Sequence, residues 1–316
     1  MRRRCLIVGN EILNTKALFQ NRYKELINEY ELFCHTLKSD APIYLRPNLN
    51  ELSTQDLKDY LERYYPQQKA SIPYRCLPIV QVTGVRKFWG GLKEHHTGLY
   101  FMQALSSTIS VEALEVQSSD TVLDMCAAPG GKATHLSSLL ISGVLYANEP
   151  SLERARVLKA NCDRLYCSNV IITNQKGEDL SIDKLNGGFD KILLDGPCSS
   201  EGTIRGKTIK HRYLDYHQDF RQKLQVIQKE LILNAAGLLK SGGSLVYSTC
   251  TYDPDENEKI VDYALSECPD LKLVPLPEKL SELRFVDGLD EMRLTKRVYP
   301  HYVDSIGFYV AKFIKL

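Results

Sequence analysis

Two cysteines stand where thiol chemistry is done. Cys198 closes the run Asp195-Gly-Pro-Cys198 and Cys250 closes Ser248-Thr-Cys250, each at the end of a strand-like apolar segment, FDKILLD or SLVYSTC. In an open α/β sheet, residues just past the carboxyl ends of strands face the ligand crevice. Both thiols are therefore expected in one site, with the acid of Asp195 beside them. A thiolate adds to an electron-poor ring carbon and leaves it again. Carbon 5 of a pyrimidine is a poor nucleophile until a thiolate at C6 turns the ring into an enamine-like donor for a methyl cation equivalent. The C5 proton must then leave so that the thiol departs by elimination, which calls for a second group as base. Asp195 is suited to bond the N3/N4 edge and to stabilise or protonate the adduct, and Lys132 to add positive charge. The other seven of the nine cysteines read as small buried hydrophobes. Cys162 and Cys167, spaced CxxxxC without a second ligand pair, do not make a zinc site.

The second chemical element is a small-residue turn, Cys126-Ala127-Ala128-Pro129-Gly130-Gly131-Lys132, between a strand and a helix. It lets backbone N–H groups approach a nucleotide-like ligand. It is neither a Walker A loop, since Ala133 replaces the Ser/Thr that holds magnesium, nor GxGxxG. Glu149 ends the next strand about twenty residues on, where a doubly wound fold places the carboxylate for ribose hydroxyls. Asp179 follows the third strand and is the candidate for the adenine edge, with Glu178 competing for that role. Each acid alone also reads as an ordinary loop or capping residue.

The elements that must position these residues follow from periodicity. Residues 14–38 predict a helix, and STQDLKDYLERYY a second, capped by Ser53 or Thr54 and stopped by Pro66. Ile72 to Trp89 reads as short strands and turns. Residues 1–90 thus form a small α+β appendage, and 91–316 a larger domain. After Gly98, LYFMQALSSTISVEALE predicts a helix. From Asp120 onward strands and helices alternate, which predicts a doubly wound, Rossmann-like α/β sheet. Ser241-Gly242-Gly243 is expected to end the long helix, and GFYVAKF to add an antiparallel edge strand.

Composition bounds the partners. Forty Lys plus Arg against thirty-nine Asp plus Glu give a net charge of +1, so any nucleic-acid affinity comes from local patches. Arg205, Lys207, Lys210 and Arg212 follow the Cys198 loop, and Arg297 and His301 lie in a later basic cluster; these are the expected nucleic-acid phosphate contacts, although a charge run is ordinarily a solvated face. The odd cysteine count, the absence of a signal-peptide core and the lack of a long apolar run predict a cytoplasmic protein with no membrane association. No metal is expected, and a monomer is.

LDMCAAPGGKATHL, LLDGPCSSEGT, YSTCTYDPDENE and RVYPHYVDSIGFYVAKF together resemble the NOL1/NOP2/Sun family of RNA cytosine-5 methyltransferases, over about residues 85–316. The resemblance implies a class I methyltransferase domain using S-adenosylmethionine. It further implies Cys250 as nucleophile, Cys198 as the thiol assisting release, and cofactor contacts at 126–132, Glu149, Asp179 and Asp195. The bacterial 16S rRNA branch is the most similar, which makes rRNA, alone or in a ribosomal subunit, the expected partner, and tRNA the alternative. DNA cytosine-5 methylation would make Cys198 the nucleophile instead. A non-catalytic ribosome-assembly or RNA-binding protein with this fold is the alternative of another class. The N-terminal 90 residues are expected to add RNA contacts.

Overall fold

A computed structural model describes Phe19 and residues 21–84, 88–181, 187–206 and 218–316. Strands β1 (Ile43–Pro47), β2 (Gln68–Ser71), β3 (Val80–Gly84) and β4 (Tyr100–Met102) form an antiparallel sheet in the order β2-β3-β1-β4. The helix α1 is Tyr30–Leu37; α2 is Thr54–Tyr64. The reciprocal Ser53–Asp56 capping box fixes the start of α2, and its buried face, Leu57 and Leu61, packs with Leu45, Val80, Trp89 and Tyr100.

Two expectations fail here. The helix predicted over 14–38 is divided, because Glu29 takes a left-handed conformation (φ 54°) just before α1. The helix predicted after Gly98 begins only with Leu105, since Tyr100–Met102 pairs with β1 (Leu45 opposite Met102) and the free sheet edge outweighs local helix propensity. The small layer therefore extends to Met102 rather than ending at residue 90.

A short α3 (Lys93–His96) and α4 (Leu105–Leu114) lead to the main sheet. Its strands are β5 (Thr121–Asp124), β6 (Val144–Asn148), β7 (Val170–Thr173), β8 (Phe189–Asp195), β9 (Leu239–Thr249), β10 (Leu271–Val274), β11 (Val286–Asp287), β12 (Lys296–Val298) and β13 (Phe308–Lys315). The order is β11-β12-β13-β9-β8-β5-β6-β7, with β10 also on β13, and β5 to β9 are mutually parallel. Helices α5 (Gly131–Leu139), α6 (Leu152–Arg164) and α7 (Gln218–Leu238) connect these strands, and α8 (Glu258–Glu267) follows β9. The chain runs outward from β5 to β7, then returns to β8 on the other side of β5. The crevice of a doubly wound fold opens at this switch point. Val122, Leu123, Ile192, Leu193 and Leu194 are all buried, as helix-covered parallel strands require.

The Ser241-Gly242-Gly243 run lies inside β9, at a register irregularity against β8, and does not end the helix as expected. Strand β13 is antiparallel as expected but interior: it pairs with β9 on one side and with β12 and β10 on the other. Alternation within its sequence sets strand character, not position in the sheet. Among the described residues no helix is long and apolar enough to cross a membrane.

Candidate active site

Strands β5, β8 and β9 deliver Asp124, Asp195 and Cys250 to the same end of the sheet. Asp195 and Ser248 are register partners across β8 and β9, so their side chains share a face. Ser248 Oγ donates to Asp195 Oδ1 at 2.7 Å, and Lys132 Nζ donates to Asp195 Oδ2 at 2.6 Å. Both carboxylate oxygens are thus engaged by the protein. Burial opposes the charge on Lys132, but Asp195 outweighs it and holds the ammonium above its ordinary pKa.

The loop after β8 folds against the loop after β9 through Gly196 N–H to Ser248 C=O (3.0 Å) and Gly202 N–H to Cys250 C=O (2.9 Å). These backbone bonds bring Cys198 Sγ to 3.3 Å from Cys250 Sγ, with Ser200 Oγ 3.5 Å from Cys250 Sγ. The contact with Cys198 lowers the Cys250 pKa against the effect of burial, with Ser200 and Lys132 helping. The same contact, together with burial, raises Cys198 well above its ordinary value. Of the two, Cys250 is the one whose surroundings favour the thiolate and Cys198 the one whose surroundings favour the thiol.

The small-residue turn is held from outside. Arg154 donates to the Ala128 carbonyl at 2.9 Å and Asn161 to that of Pro129 at 2.8 Å, while Ala127 N–H bonds Asn148 C=O at 2.8 Å. Gly130 has φ 111°, which disfavours any side chain, and a Cβ on Gly131 would lie 3.2 Å from the Phe101 ring. A cavity lined by Phe101, Gln103, Asp124, Cys126, Pro129 and Lys132 reaches Asp195. Asp124 is 1% exposed and, among the described residues, no side chain hydrogen-bonds its carboxylate oxygens, the Lys132 ammonium and the Cys126 backbone N–H being the groups that favour its charge. Burial pushes its pKa up to about 7 and also raises the Cys126 thiol. Asp124 and Ser248 each open one of the motifs in the sequence, but neither carries a predicted role there. An acid ending an apolar strand directly before a small-residue turn was a readable signal for the first; the second needed the β8/β9 register.

Glu149 directly follows β6, buried, and accepts from Ser151 N–H at 3.0 Å while its other oxygen lies 3.3 Å from Arg154. Asp179 is exposed on a single 3₁₀ turn, Gly177–Asp179, with Glu178 half-buried beside it.

Two expected phosphate contacts are corrected. Arg205 is buried and donates to Asp304 (2.6 Å) and to the Ser305 carbonyl (2.9 Å). Arg297 is buried in a two-point pair with Glu258 and donates to the Tyr252 carbonyl at 2.9 Å. Guanidinium groups desolvated and paired in this way hold the fold and do not face solvent. His301 packs among the rings of Phe33, Tyr299 and Tyr302, with Nε2 3.1 Å from the Asn28 carbonyl. Lys207, Lys210 and Arg212 lie outside the described residues.

Residues 111–314 match the family described as 16S rRNA methyltransferase RsmB/F. The chain belongs to this family. It is similar to the tRNA (cytosine(49)-C(5))-methyltransferase of Pyrococcus abyssi, 35% identical over 93% of this chain and 94% of that protein. The 26S rRNA (cytosine-C(5))-methyltransferase nsun-1 of Caenorhabditis elegans is 40% identical over 72% of this chain and 35% of its own length. The matches to the first four curated relatives cover 28% to 38% of those proteins. In structure, the chain superposes on a methyltransferase homologue from Pyrococcus horikoshii with a TM-score of 0.81 and 30% identity, over 98% of this chain and 99% of that one.

S-adenosylmethionine is the methyl donor of the family. The site fits it on its own terms: the donor is a sulfonium cation with an ammonium group, and the buried carboxylate of Asp124, with no side-chain hydrogen-bond partner among the described residues, is an acceptor lining this cavity. The 126–132 turn, Asp124 and the Lys132–Asp195 pair border the cavity and are the residues that would hold it.

Proposed function

We propose that this protein methylates carbon 5 of cytosine in RNA. The observation that carries the reading is the 3.3 Å contact between a thiolate-prone Cys250 and a protonated Cys198, beside the cavity that ends at Asp195. When bound, S-adenosylmethionine supplies an electrophilic methyl group. Cys250 adds through its thiolate to C6 of the cytosine, and the displaced ring electrons make C5 nucleophilic. Lys132, fixed by Asp195, supplies positive charge where the ring becomes electron-rich. Once Cys250 is bonded to carbon its charge is gone, and with it a principal cause of the raised Cys198 pKa. Cys198 then gives its proton to solvent and as thiolate takes the C5 proton, so that the C6–S bond breaks and Cys250 leaves as thiolate. The net reaction consumes one methyl donor and releases one proton. Because C5 and C6 are inaccessible in a stacked helix, the target is a flipped or single-stranded cytosine.

The favoured target is small-subunit rRNA, in keeping with the description of the matched family. The second reading, tRNA, is supported by the end-to-end match to the Pyrococcus abyssi relative. Incorporation of labelled methyl into tRNA, 16S RNA, 23S RNA and 30S subunits from cells lacking the protein decides between them, with Cys250→Ala as control. Label as 5-methylcytidine in 16S RNA or 30S subunits supports the first, and label confined to tRNA replaces it with the second. No label in any RNA, with S-adenosylmethionine binding intact, turns the reading to a non-catalytic RNA-binding role.

A further inference from the structure

The two thiol loops are held by a buried polar frame that none of the chemistry above uses. Gln228, in the middle of α7, is fully buried, and its Nε2 donates to the Pro197 carbonyl at 2.7 Å and to Glu256 Oε2 at 3.1 Å. Glu256, also fully buried, accepts the Ser199 N–H on that same oxygen at 2.9 Å. The peptide carbonyl before Cys198 and the peptide N–H after it are thus each held by a side chain, and those side chains hold each other. The next residue, Asn257, does the corresponding work for Cys250: its Oδ1 accepts from Thr249 Oγ1 at 2.5 Å and its Nδ2 donates to the Thr251 carbonyl at 3.1 Å. Tyr247 fixes this corner by donating to the Glu256 carbonyl at 2.6 Å. Adjacent residues of one turn therefore grip the two thiols separately.

Burying a carboxylate is costly unless its partners repay the lost hydration. Glu256 Oε1 stands 3.9 Å from Arg221 Nε, and Arg221 is drawn more closely to Glu201 (2.9 Å) and Asp253 (2.5 Å), so the short contacts of Glu256 are those to the Ser199 N–H and Gln228. What Glu256 and Gln228 provide is direction. A thiol that must act only after Cys250 has bonded to substrate depends on its position to within a fraction of an ångström.

We propose that Gln228 and Glu256 are positioning residues for Cys198, fixing the two peptide groups that flank it so that its thiol is placed for release of the methylated product. The inference rests on the proposed roles of the two thiols. Removal of the clamp is expected to slow release more than attack, whereas loosening Asn257 slows attack.

The test uses the full chain, total RNA from cells lacking the protein and methyl-labelled S-adenosylmethionine. Denaturing gels report the covalent protein–RNA adduct, and single-turnover and steady-state labelling report attack and release. In Gln228→Leu and Gln228→Met, steady-state turnover is expected to fall about 10- to 100-fold, with adduct accumulating as in Cys198→Ala and the first turnover far less affected. Adding either substitution to Cys198→Ala should cost nothing further, because the clamp acts through that thiol. Glu256→Gln, which keeps an oxygen for the Ser199 N–H, should retain more turnover than Glu256→Ala. Equal losses in attack and release, or losses that multiply in the Cys198→Ala background, overturn the clamp. So does loss of S-adenosylmethionine binding in both Gln228 variants, which would mean that Gln228 serves the fold at large. Adduct with Cys198→Ala but not with the Gln228 variants sinks the clamp alone. No adduct with Cys198→Ala sinks the assignment of the thiols and the clamp with it.

Discussion

Cys198 Sγ and Cys250 Sγ lie 3.3 Å apart, and the contact between them shifts their pKa values in opposite directions, Cys198 up and Cys250 down. The asymmetry assigns different failures to the two sites. Cys250→Ala is expected to lose methylation by about three orders of magnitude or more and to form no adduct. Cys198→Ala should still attack and should trap RNA in an adduct that survives denaturing electrophoresis. The reverse pattern, with Cys250→Ala active and Cys198→Ala dead, would exchange the roles.

Asp195 is held between Ser248 and Lys132, so its orientation depends on both. Ser248→Ala removes one bond to a charged acceptor and should cost about 2 kcal/mol in stability, read from denaturant melts. Lys132→Met removes the cation as well as the bond, and kcat should fall about 100-fold or more, well beyond the effect of Ser248→Ala. Equal activity losses in the two variants would mean that Lys132 acts only by orienting Asp195.

Asp124 makes the unliganded protein sensitive to pH. Its folded-state pKa of about 7 lies above the ordinary 3.8, so the unfolded chain ionises first and stability falls as pH rises between those values. Above about pH 7 the whole penalty is present. Asp124→Asn should therefore raise Tm at about pH 8 by the equivalent of about 2 kcal/mol and much less at about pH 4, while weakening S-adenosylmethionine binding. A Tm difference that shrinks with rising pH would show that the carboxylate is not buried and unpaired.

The N-terminal segment packs on the thiol loops, with Phe33 fully buried against Tyr252 and Tyr299 and Tyr23 donating to Glu201. Phe33→Ala should cost about 3–5 kcal/mol and lower Tm accordingly. Methylation should recover when the variant is assayed well below its melting point. A variant that keeps wild-type stability would make this segment a separable appendage.

The spacing of apolar residues, acids and small turns in the sequence determined the kind and order of the main-domain elements. It also placed Cys198, Cys250, Asp195 and the 126–132 turn at strand ends, because such patterns act over a few residues and each strand must bury its own faces. The capped start of α2, at Ser53 or Thr54, was legible for the same reason, and the structure puts the cap at Ser53. What depended on distant partners was not legible. Tyr100–Met102 became a strand because β1 offered an edge, and β13 became interior because β10 and β12 return to cover it. Arg205 and Arg297 read as surface charge, yet pairing with Asp304 and Glu258 leaves both guanidinium groups buried. The 3.3 Å between two thiols 52 residues apart, the Asp195–Ser248 pairing and the Gln228–Glu256 clamp follow from the β8/β9 register and the packing of α7. Strand pairing and burial are settled by the whole chain at once, so only the tertiary structure decided which of the residues named by the sequence would touch.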